Sequence, residues 1–378
     1  MTAAPIRVLH VAETLPGGIA SYLEELWAFQ RTQFGEGQVR FLLPAEQVGH
    51  AGQIPAAAVT RWSRAGRDPA SLLRLGRALG REVSAFRPHV VHIHSTFAGV
   101  VGRAVLGVRP KRPKIVYCAH GWSFAMEVSP LKQTLYSNLE RGLALGCDAI
   151  VTISEDERRL ALAAGLPAAK LVTVWNGIAE APRGAGAAAR PQDGPIRLLF
   201  AGRHDRQKGL DILLDAMERL DGVPVELDVL GEPLGEDGRP LRAGATPPPR
   251  AGAKVNYIGW VPREAVAQRM AAADALVMPS RWEGFGLVAV EAMREGTPVL
   301  ASDRGALPEI VDHGRSGLIY PLDAQAIAGC LRSLTRSRLQ AMGTEARRDF
   351  ETRFTAQRMS AEILRLYGTL VGAPARSA

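Results

Sequence analysis

Two glutamates eight positions apart, Glu283 and Glu291, stand at the two ends of a segment whose composition suits the start of a helix. The segment 279–293 reads PSRWEGFGLVAVEAM, in which a glycine-containing loop leads into a helical stretch. The first amides of a helix have no intrahelical partner, and the helix dipole attracts anionic or oxygen-rich groups. The amides placed there belong to Gly284, Phe285 and Gly286.

A ligand rich in hydroxyl groups is the chemistry that this arrangement suits. Glu283 could accept hydrogen bonds from hydroxyls beside those amides, and Glu291, about two turns along the helix, could accept from a second set. The alternative is a solvated helix face, which also carries glutamates at this spacing. The glycines and Phe285 behind the first carboxylate favour the ligand site.

A second group of charged residues points to phosphate. The loop 202–209 reads GRHDRQKG and directly follows a strand-like run. The Arg203 guanidinium and the Lys208 ammonium suit the two phosphates of a nucleotide diphosphate, and they could neutralise charge on a departing diphosphate. No Walker-type Gly-Lys-Ser/Thr accompanies them, and two ordinary surface cations are the alternative.

Two weaker features lie in the first half of the chain. Gly17 and Gly18 follow the first strand-like run and would let the backbone approach a ligand. The alternative is an ordinary glycine turn, which has the same sequence pattern. His92 and His94 alternate along one strand and raise the question of a metal. Because no carboxylate or third ligand stands near them in the sequence, we predict core or cleft-wall histidines and no metal site.

These loops need strands and helices to position them, and the chain supplies two series of each. Strands are predicted at 6–12, 39–43, 90–94, 114–119, 149–153, 196–201, 226–230, 255–258, 275–278 and 298–301. Their alternation with helical stretches predicts an α/β fold of two Rossmann-like, doubly wound parallel-sheet domains. Ligands of such sheets bind beyond the carboxyl ends of the strands, so we expect the domains to face a central cleft. The predicted ranges are 1–178 for the first domain, 179–195 for a linker and 196–353 for the second, with a surface loop at 232–252.

Composition and charge bound the class of protein. The 378 residues are 47% hydrophobic and 22% charged, which is typical of a soluble globular protein. No secretory signal, run of eighteen apolar residues or cysteine framework is evident, so we expect a cytoplasmic protein. Residues 1–178 hold 20 Lys and Arg against 13 Asp and Glu. This excess could meet an anionic membrane surface at the inner face of the cell membrane, whereas no aromatic and basic interleaving supports nucleic acid.

Taken together, four motifs resemble the family-4 retaining glycosyltransferases of GT-B fold. They are GRHDRQKG, EGFGLVAVE, the early PGGIA and RGALPEIV at 304–311. The resemblance spans nearly the whole chain and implies that the second domain holds a nucleotide-diphosphate sugar while the first holds the acceptor. It also implies that the last helix, 354–370, crosses back to the first domain.

The resemblance assigns roles to individual residues. Arg203 and Lys208 resemble the diphosphate-binding pair, Glu291 the ribose ligand, and Glu283 the carboxylate that meets sugar hydroxyls. Further donor-binding and catalytic positions that it implies are Gly18, His120 and the amides of Gly284, Phe285, Gly286 and Leu287. Less specific acceptor-side positions are Gly17, Trp122, Ser154 and Asn176.

The expected activity is transfer of a hexose-type sugar from a UDP- or GDP-linked donor to a glycan or lipid-linked acceptor, with retention at the anomeric carbon. No Asp-x-Asp pair is present to hold a metal on the diphosphate, so we expect neither a metal nor another cofactor. The family implies reaction on the front face of the sugar donor. Two alternatives stay open: a GT-B-fold sugar-nucleotide epimerase and a non-catalytic sugar-nucleotide or glycan-binding protein. A Rossmann dehydrogenase is not expected, because no G-x-G-x-x-G follows either leading strand.

Overall fold

The computed structural model describes residues 6–66, 68–180, 194–232 and 253–372. Contacts divide the chain into two compact units. Unit 1 runs as far as Ala179 and resumes at Ala356, and unit 2 is Glu180–Thr355. Most of the predicted linker, 179–195, and of the predicted loop, 232–252, lies outside the described residues.

Each unit is built on one parallel sheet. The strands of unit 1 are β1 (Val8–Ala12), β2 (Val39–Pro44), β3 (Val59–Trp62), β4 (Val90–His94), β5 (Lys114–Cys118), β6 (Ala149–Thr152) and β7 (Leu171–Thr173). Those of unit 2 are β8 (Ile196–Ala201), β9 (Val225–Leu230), β10 (Lys254–Gly259), β11 (Ala275–Met278), β12 (Val299–Ser302) and β13 (Gly317–Tyr320). The order of the strands across the sheet is β3-β2-β1-β4-β5-β6-β7 in unit 1 and β10-β9-β8-β11-β12-β13 in unit 2.

These orders are those of the doubly wound fold, because each sheet grows outward in both directions from its first strand. Strands covered on both faces read as continuous apolar runs, and the residues of β1, VLHVA, are all buried. The predicted fold class is confirmed at the level of each unit.

The helices lie between successive strands or after the last one. They are α1 (Gly18–Phe34), α2 (Pro69–Phe86), α3 (Thr96–Gly107), α4 (Pro130–Leu143), α5 (Glu155–Ala163), α6 (Leu210–Met217), α7 (Arg263–Ala272), α8 (Leu287–Arg294), α9 (Leu307–Ile310), α10 (Ala324–Arg332), α11 (Arg336–Arg353) and α12 (Ala356–Val371). The predicted crossing helix, 354–370, corresponds to α12, which belongs to unit 1.

Burial patterns explain how α2 and α4 sit on unit 1. Helix α2 begins at Asp68, whose carboxylate accepts a hydrogen bond from the Ser71 amide, and its Leu75, Leu79 and Val83 are buried in the core. The apolar side chains that the sequence sets beside the basic residues of α2 therefore mostly face inward. Helix α4 differs, because Glu140 is the one residue that it buries.

The carboxylate of Glu140 holds α4 against α3. It lies 2.8 Å from the Arg103 guanidinium and accepts from the Tyr117 hydroxyl at 3.0 Å. The Arg103 guanidinium also stacks on the Tyr117 ring, 3.8 Å from its centroid. The buried charges of Arg103 and Glu140 are thus paired with each other. In the described part of the chain, none of the helices combines the length and apolar character that a bilayer crossing needs.

Candidate functional site

The two charged loops predicted from sequence meet at the centre of the sheet of unit 2. Strands β8 and β11 are neighbours there, and the chain leaves them in opposite directions across the sheet. Loop 202–209 follows β8 and loop 279–286 follows β11, so both occupy the carboxyl edge at the point where the strand order reverses. This is the position at which doubly wound sheets bind their ligands.

An ion pair joins the loops at this edge. The Lys208 ammonium lies 2.8 Å from Oε2 of Glu283, and the Ser280 hydroxyl donates to the same oxygen at 3.2 Å. The two side chains are only 16% and 11% exposed. The pair places a positive and a negative group side by side on the ligand-binding edge, where one can meet phosphate and the other hydroxyl.

Close backbone packing fixes the position of both charged groups. Gly209 has φ +68°, and a Cβ there would lie 1.9 Å from the carbonyl oxygen of Pro279. The amide of Arg281 donates to the Gln207 carbonyl at 2.8 Å. A side chain at Gly209 would therefore force the loops apart.

Arg203 is placed differently from Lys208. Its guanidinium is paired within its own loop, 3.0 Å from Asp205 Oδ2 and 3.0 Å from Gln207 Oε1. The side chain is 51% exposed, so it is far more accessible than Lys208. The structure thus puts both predicted cations on one loop, with Lys208 held beside Glu283 and Arg203 at the surface.

Helix α8 presents its first turn at the same edge. Its N-cap, Gly286, has φ +99° and makes no side-chain capping hydrogen bond. The amides at the start of α8 therefore remain available to a ligand. The side chain of Phe285 is 2% exposed and packs edge-on against Phe354, so any contact from this residue comes from its backbone.

Glu291 lies on α8 in a setting that disfavours its charge. Burial raises the pKa of this carboxyl, while the charges of Arg263 and Arg294 act in the opposite direction. A carboxylate kept partly from water is a strong hydrogen-bond acceptor when a ligand hydroxyl reaches it.

In unit 1, His120 follows β5 at the carboxyl edge of that sheet. Its φ of 55° is in the left-handed region, which is uncommon for a residue with a side chain and often marks a functional position. Its Nε2 lies 3.0 Å from Nδ1 of His94. Burial of the ring lowers the pKa of His120 to about 3, so the imidazole is neutral at physiological pH.

His120 belongs to a larger histidine cluster that the sequence did not predict. The register pairs His10 of β1 with His92 of β4, and His94 follows two residues later on the same face. Ring nitrogens of these three residues lie within 4.8 Å of one another, a spacing at which histidines can share a metal ion. The absence of metal remains a prediction, and His10 supplies a third histidine from a distant part of the sequence.

Three of the four predicted acceptor-side residues are buried in unit 1. Trp122 is 3% exposed and donates its indole N–H to the Glu157 carbonyl, so its ring lies in the core and its acceptor role stays a prediction. Ser154 is fully buried as the N-cap of α5, and Asn176 is 3% exposed. Gly17, by contrast, precedes α1 with φ +88° and open space where a side chain would project. Gly18 begins α1, so the glycine pair opens a helix as predicted.

Comparison with known proteins adds to this geometry. Residues 195–337 match the family model described as "Glycosyl transferases group 1", and residues 17–177 match "Glycosyl transferase 4-like domain". An uncharacterised 41.2 kDa protein of the cps region of Klebsiella pneumoniae is 31% identical over 340 residues, covering 87% of this chain and 90% of that protein. The phosphatidyl-myo-inositol mannosyltransferase of Mycobacterium tuberculosis is 28% identical, covering 96% of each chain.

The crystal structure of Anabaena HepE in complex with UDP and glucose has the same fold. It aligns with a TM-score of 0.76 at 20% identity and covers 96% of this chain and 100% of its own.

Proposed function

This chain belongs to the group 1, family-4-like glycosyltransferases of GT-B fold, and from that premise we propose that it transfers a hexose-type sugar from a nucleotide-diphosphate sugar, with retention. The observation that carries the proposal is the Lys208–Glu283 pair at the strand-order switch of unit 2. It sets a phosphate-binding charge beside a hydroxyl-binding one, as a nucleotide sugar requires.

Unit 2 holds the sugar donor. Lys208, Arg203 and the first amides of α8 neutralise the diphosphate, and they stabilise the charge that grows as it leaves. Glu283 accepts from sugar hydroxyls and Glu291 from the ribose. Because Lys208, Arg203 and the helix amides neutralise the charge of the diphosphate, we expect turnover without an added divalent metal.

The reaction breaks the bond between the anomeric carbon and the diphosphate. The acceptor hydroxyl attacks from the face that the diphosphate leaves, and a phosphate oxygen of the departing diphosphate takes the hydroxyl proton. Such a step depends on positioning and electrostatic stabilisation more than on a dedicated base. In unit 1, His120 offers a neutral imidazole at the carboxyl edge of the sheet, and Gly17 and Gly18 leave room for a ligand beside α1.

The relatives suggest the class of acceptor. The Klebsiella protein is encoded in a cps region, and the mycobacterial relative is named for mannosyl transfer to phosphatidyl-myo-inositol. We infer a cell-surface glycan or a lipid-linked glycan as the acceptor. A crystal structure of HepE contains UDP and glucose, which favours a UDP-linked hexose as the first sugar donor to test.

A lipid-linked acceptor would bring unit 1 to a membrane, and α4 is the surface that suits this contact. Leu131, Leu135 and Leu139 recur every four residues and are 81%, 61% and 42% exposed. The basic excess of unit 1 attracts anionic headgroups, while these leucines can enter the interface. We propose an anionic bilayer as the occupant of this face.

Co-sedimentation with vesicles tests the α4 contact. Leu131→Gln/Leu135→Gln should weaken binding to vesicles of anionic lipid about tenfold or more, and binding should fall as salt rises. Leu162, on α5 and 38% exposed, provides the matched control as Leu162→Gln. Equal binding of all three proteins would exclude α4 as the contact.

The activity itself is tested with UDP-, GDP- and ADP-sugars in the presence of a metal chelator. A ligand at a hundred times its dissociation constant should stabilise the folded protein by about 2.7 kcal/mol, which a melting curve detects. The nucleotide that stabilises is then incubated with glycan and lipid-linked acceptors. Release of nucleoside diphosphate and an unchanged anomeric configuration in the product are the expected results.

Other outcomes would contradict the proposal. Conversion of the sugar nucleotide without an acceptor would show an epimerase, and stabilisation without turnover on any acceptor would favour a binding protein. Activity abolished by the chelator and restored by a divalent ion would overturn metal independence.

A further inference from the structure

A chain of buried polar side chains in unit 1 leads from the core to His120. We propose that Gln30, acting through His10 and His94, holds neutral His120 in the tautomer with its proton on Nε2, so that Nδ1 offers a lone pair. Gln30, His10 and His94 are then positioning residues for His120. The consequence for catalysis rests on the proposed function, but the tautomer itself does not.

Three hydrogen bonds make the chain continuous. Gln30 Oε1 lies 2.9 Å from His10 Nε2, and His10 Nδ1 lies 3.1 Å from His94 Nε2. His94 Nδ1 then lies 3.0 Å from His120 Nε2. Gln30, His10 and His94 are fully buried, so water does not interrupt the sequence of contacts.

The direction of the chain follows from counting protons. A neutral imidazole has one N–H donor and one acceptor nitrogen. The amide oxygen of Gln30 can only accept, so His10 carries its proton on Nε2 and accepts at Nδ1. His94 must therefore donate from Nε2 and accept at Nδ1, and His120 must donate from Nε2. One amide oxygen thereby sets three tautomers.

The rings are neutral because they are buried. Burial lowers the pKa of His10 to about 4 and that of His120 to about 3, and it lowers the pKa of His94 well below its ordinary value. A second proton on His10 or His94 would also place two N–H groups face to face in one of the contacts.

The orientation of Gln30 determines which way the chain runs. Its amide NH₂ faces the Tyr367 oxygen and opposes the burial-driven rise of the Tyr367 pKa, although it lies too far away for a hydrogen bond and has no other partner among the described residues. The Tyr367 hydroxyl lies 2.6 Å from His92 Nδ1 and can donate to it. With its NH₂ facing Tyr367, Gln30 keeps its oxygen on His10. A reversed amide would reverse the chain and place an N–H on His120 Nδ1.

The hydrogen bonds also compete with a metal ion at the same residues. The nitrogens of His10 and His94 that face each other are 3.1 Å apart and share one proton. An ion bound there would have to replace that proton and break the contact.

The tautomer of His120 matters because this residue ends the series of hydrogen bonds at the surface of unit 1. His120 is partly exposed, and its Nδ1 makes no hydrogen bond with the residues that the structure describes. The Tyr22 ring packs edge-on against the imidazole at 4.8 Å and fixes its orientation. A lone pair held at this point accepts a hydrogen bond from a ligand hydroxyl, whereas an N–H would donate to a ligand oxygen.

Histidine-selective ¹⁵N NMR tests the inference directly. The chain has eight histidines, and His120→Gln identifies the signals of His120. We expect the Nε2–H tautomer for His10, His94 and His120. In Gln30→Met, which keeps the length of the side chain, His120 should change to a mixture of tautomers. Gln30→Glu keeps an acceptor oxygen and should restore the Nε2–H form.

His313 provides an internal reference, because the Ile319 amide donates to its Nδ1 at 2.9 Å. Its tautomer should be the same in all variants. An Nδ1–H signal for wild-type His120, an unchanged His120 in Gln30→Met, or one equivalent of bound metal in the purified protein would each overturn the proposal.

Sugar transfer provides the second readout. Gln30→Met should lower kcat about tenfold, the effect of one misdirected hydrogen bond, with the KM for the sugar donor unchanged because unit 2 is untouched. If the tautomers behave as described but no transfer is found with any acceptor, the proposed function fails and the tautomer chain stands.

Discussion

Lys208 supports a sharp prediction because its ammonium is held in one place by Glu283. In Lys208→Met the stem is kept and the charge is lost. We expect kcat/KM to fall about a hundred- to a thousandfold, because the charge that builds on the diphosphate loses its nearest counter-charge. Lys254→Met is the control, since Lys254 is also paired with a glutamate, Glu226 at 3.4 Å, but is exposed. Equal losses in both variants would show a general effect of charge.

Glu291 predicts a trade-off between binding and stability. The pKa of Glu291 is raised in the folded state. Above that raised pKa, the buried negative charge lowers the free energy of unfolding. Below the ordinary pKa of a glutamate, the carboxyl is neutral in both states and this cost is absent. Glu291→Gln should therefore melt roughly 1–3 °C higher at pH 7, with the difference vanishing near pH 4. The affinity for the sugar donor should fall about tenfold.

Glu264→Gln, an exposed change on α7, is the control for these measurements. A destabilised Glu291→Gln at pH 7 would mean that Arg263 and Arg294 outweigh burial.

At the scale of elements, Gly209 determines whether the two site loops can pack together. Gly209→Ala should cost several kcal/mol of stability and remove donor binding, because the new Cβ would collide with the Pro279 carbonyl. Gly222 has a similar φ of +72° but open space around it. Gly222→Ala should therefore show only the backbone penalty, about 1 kcal/mol, in a denaturant titration. Similar losses for the two variants would contradict the packing argument.

The central strands and the edge strand β10 were predictable from sequence, but the other three edge strands were not. Buried runs such as those of β1 and β11 stand out because both faces are covered. Strands β3, β7 and β13 were missed. They have 4, 3 and 4 residues, and β3 and β7 each bury only one of them, so these two lack the continuous buried run that marks the equally short β11.

The sequence likewise predicted only part of the candidate functional site. Loops 202–209 and 279–286 follow strands that the sequence showed, and the resemblance assigned both loops to one sugar donor before the sheet order placed them side by side. The link between His10 and His92 depends on strand register, a long-range property that no local pattern encodes. The burial of Trp122 could not be inferred from its neighbours in sequence, because its ring packs on Phe124 only once the loop after β5 has folded.

At the scale of the whole molecule, α12 returns the end of the chain to unit 1. Met359, Ile363 and Tyr367 of this helix are fully buried there. A chain ending at Thr355 should therefore lose or strongly lower the calorimetric transition of unit 1, because each deleted core side chain costs about 2–5 kcal/mol. The transition of unit 2 should remain. A chain ending at Gly372 keeps α12 and is the control, and simultaneous loss of both transitions would contradict the division into units.

The position of α12 also sets an order of events during translation. The ribosome delivers the seven strands of unit 1 first, yet the hydrogen bond between His92 and Tyr367 spans 275 residues. All of unit 2 must leave the exit tunnel before that bond can form. We therefore expect the nascent first unit to stay open longest and to depend most on chaperones, and a prematurely terminated chain to be recognised by proteases through this unit.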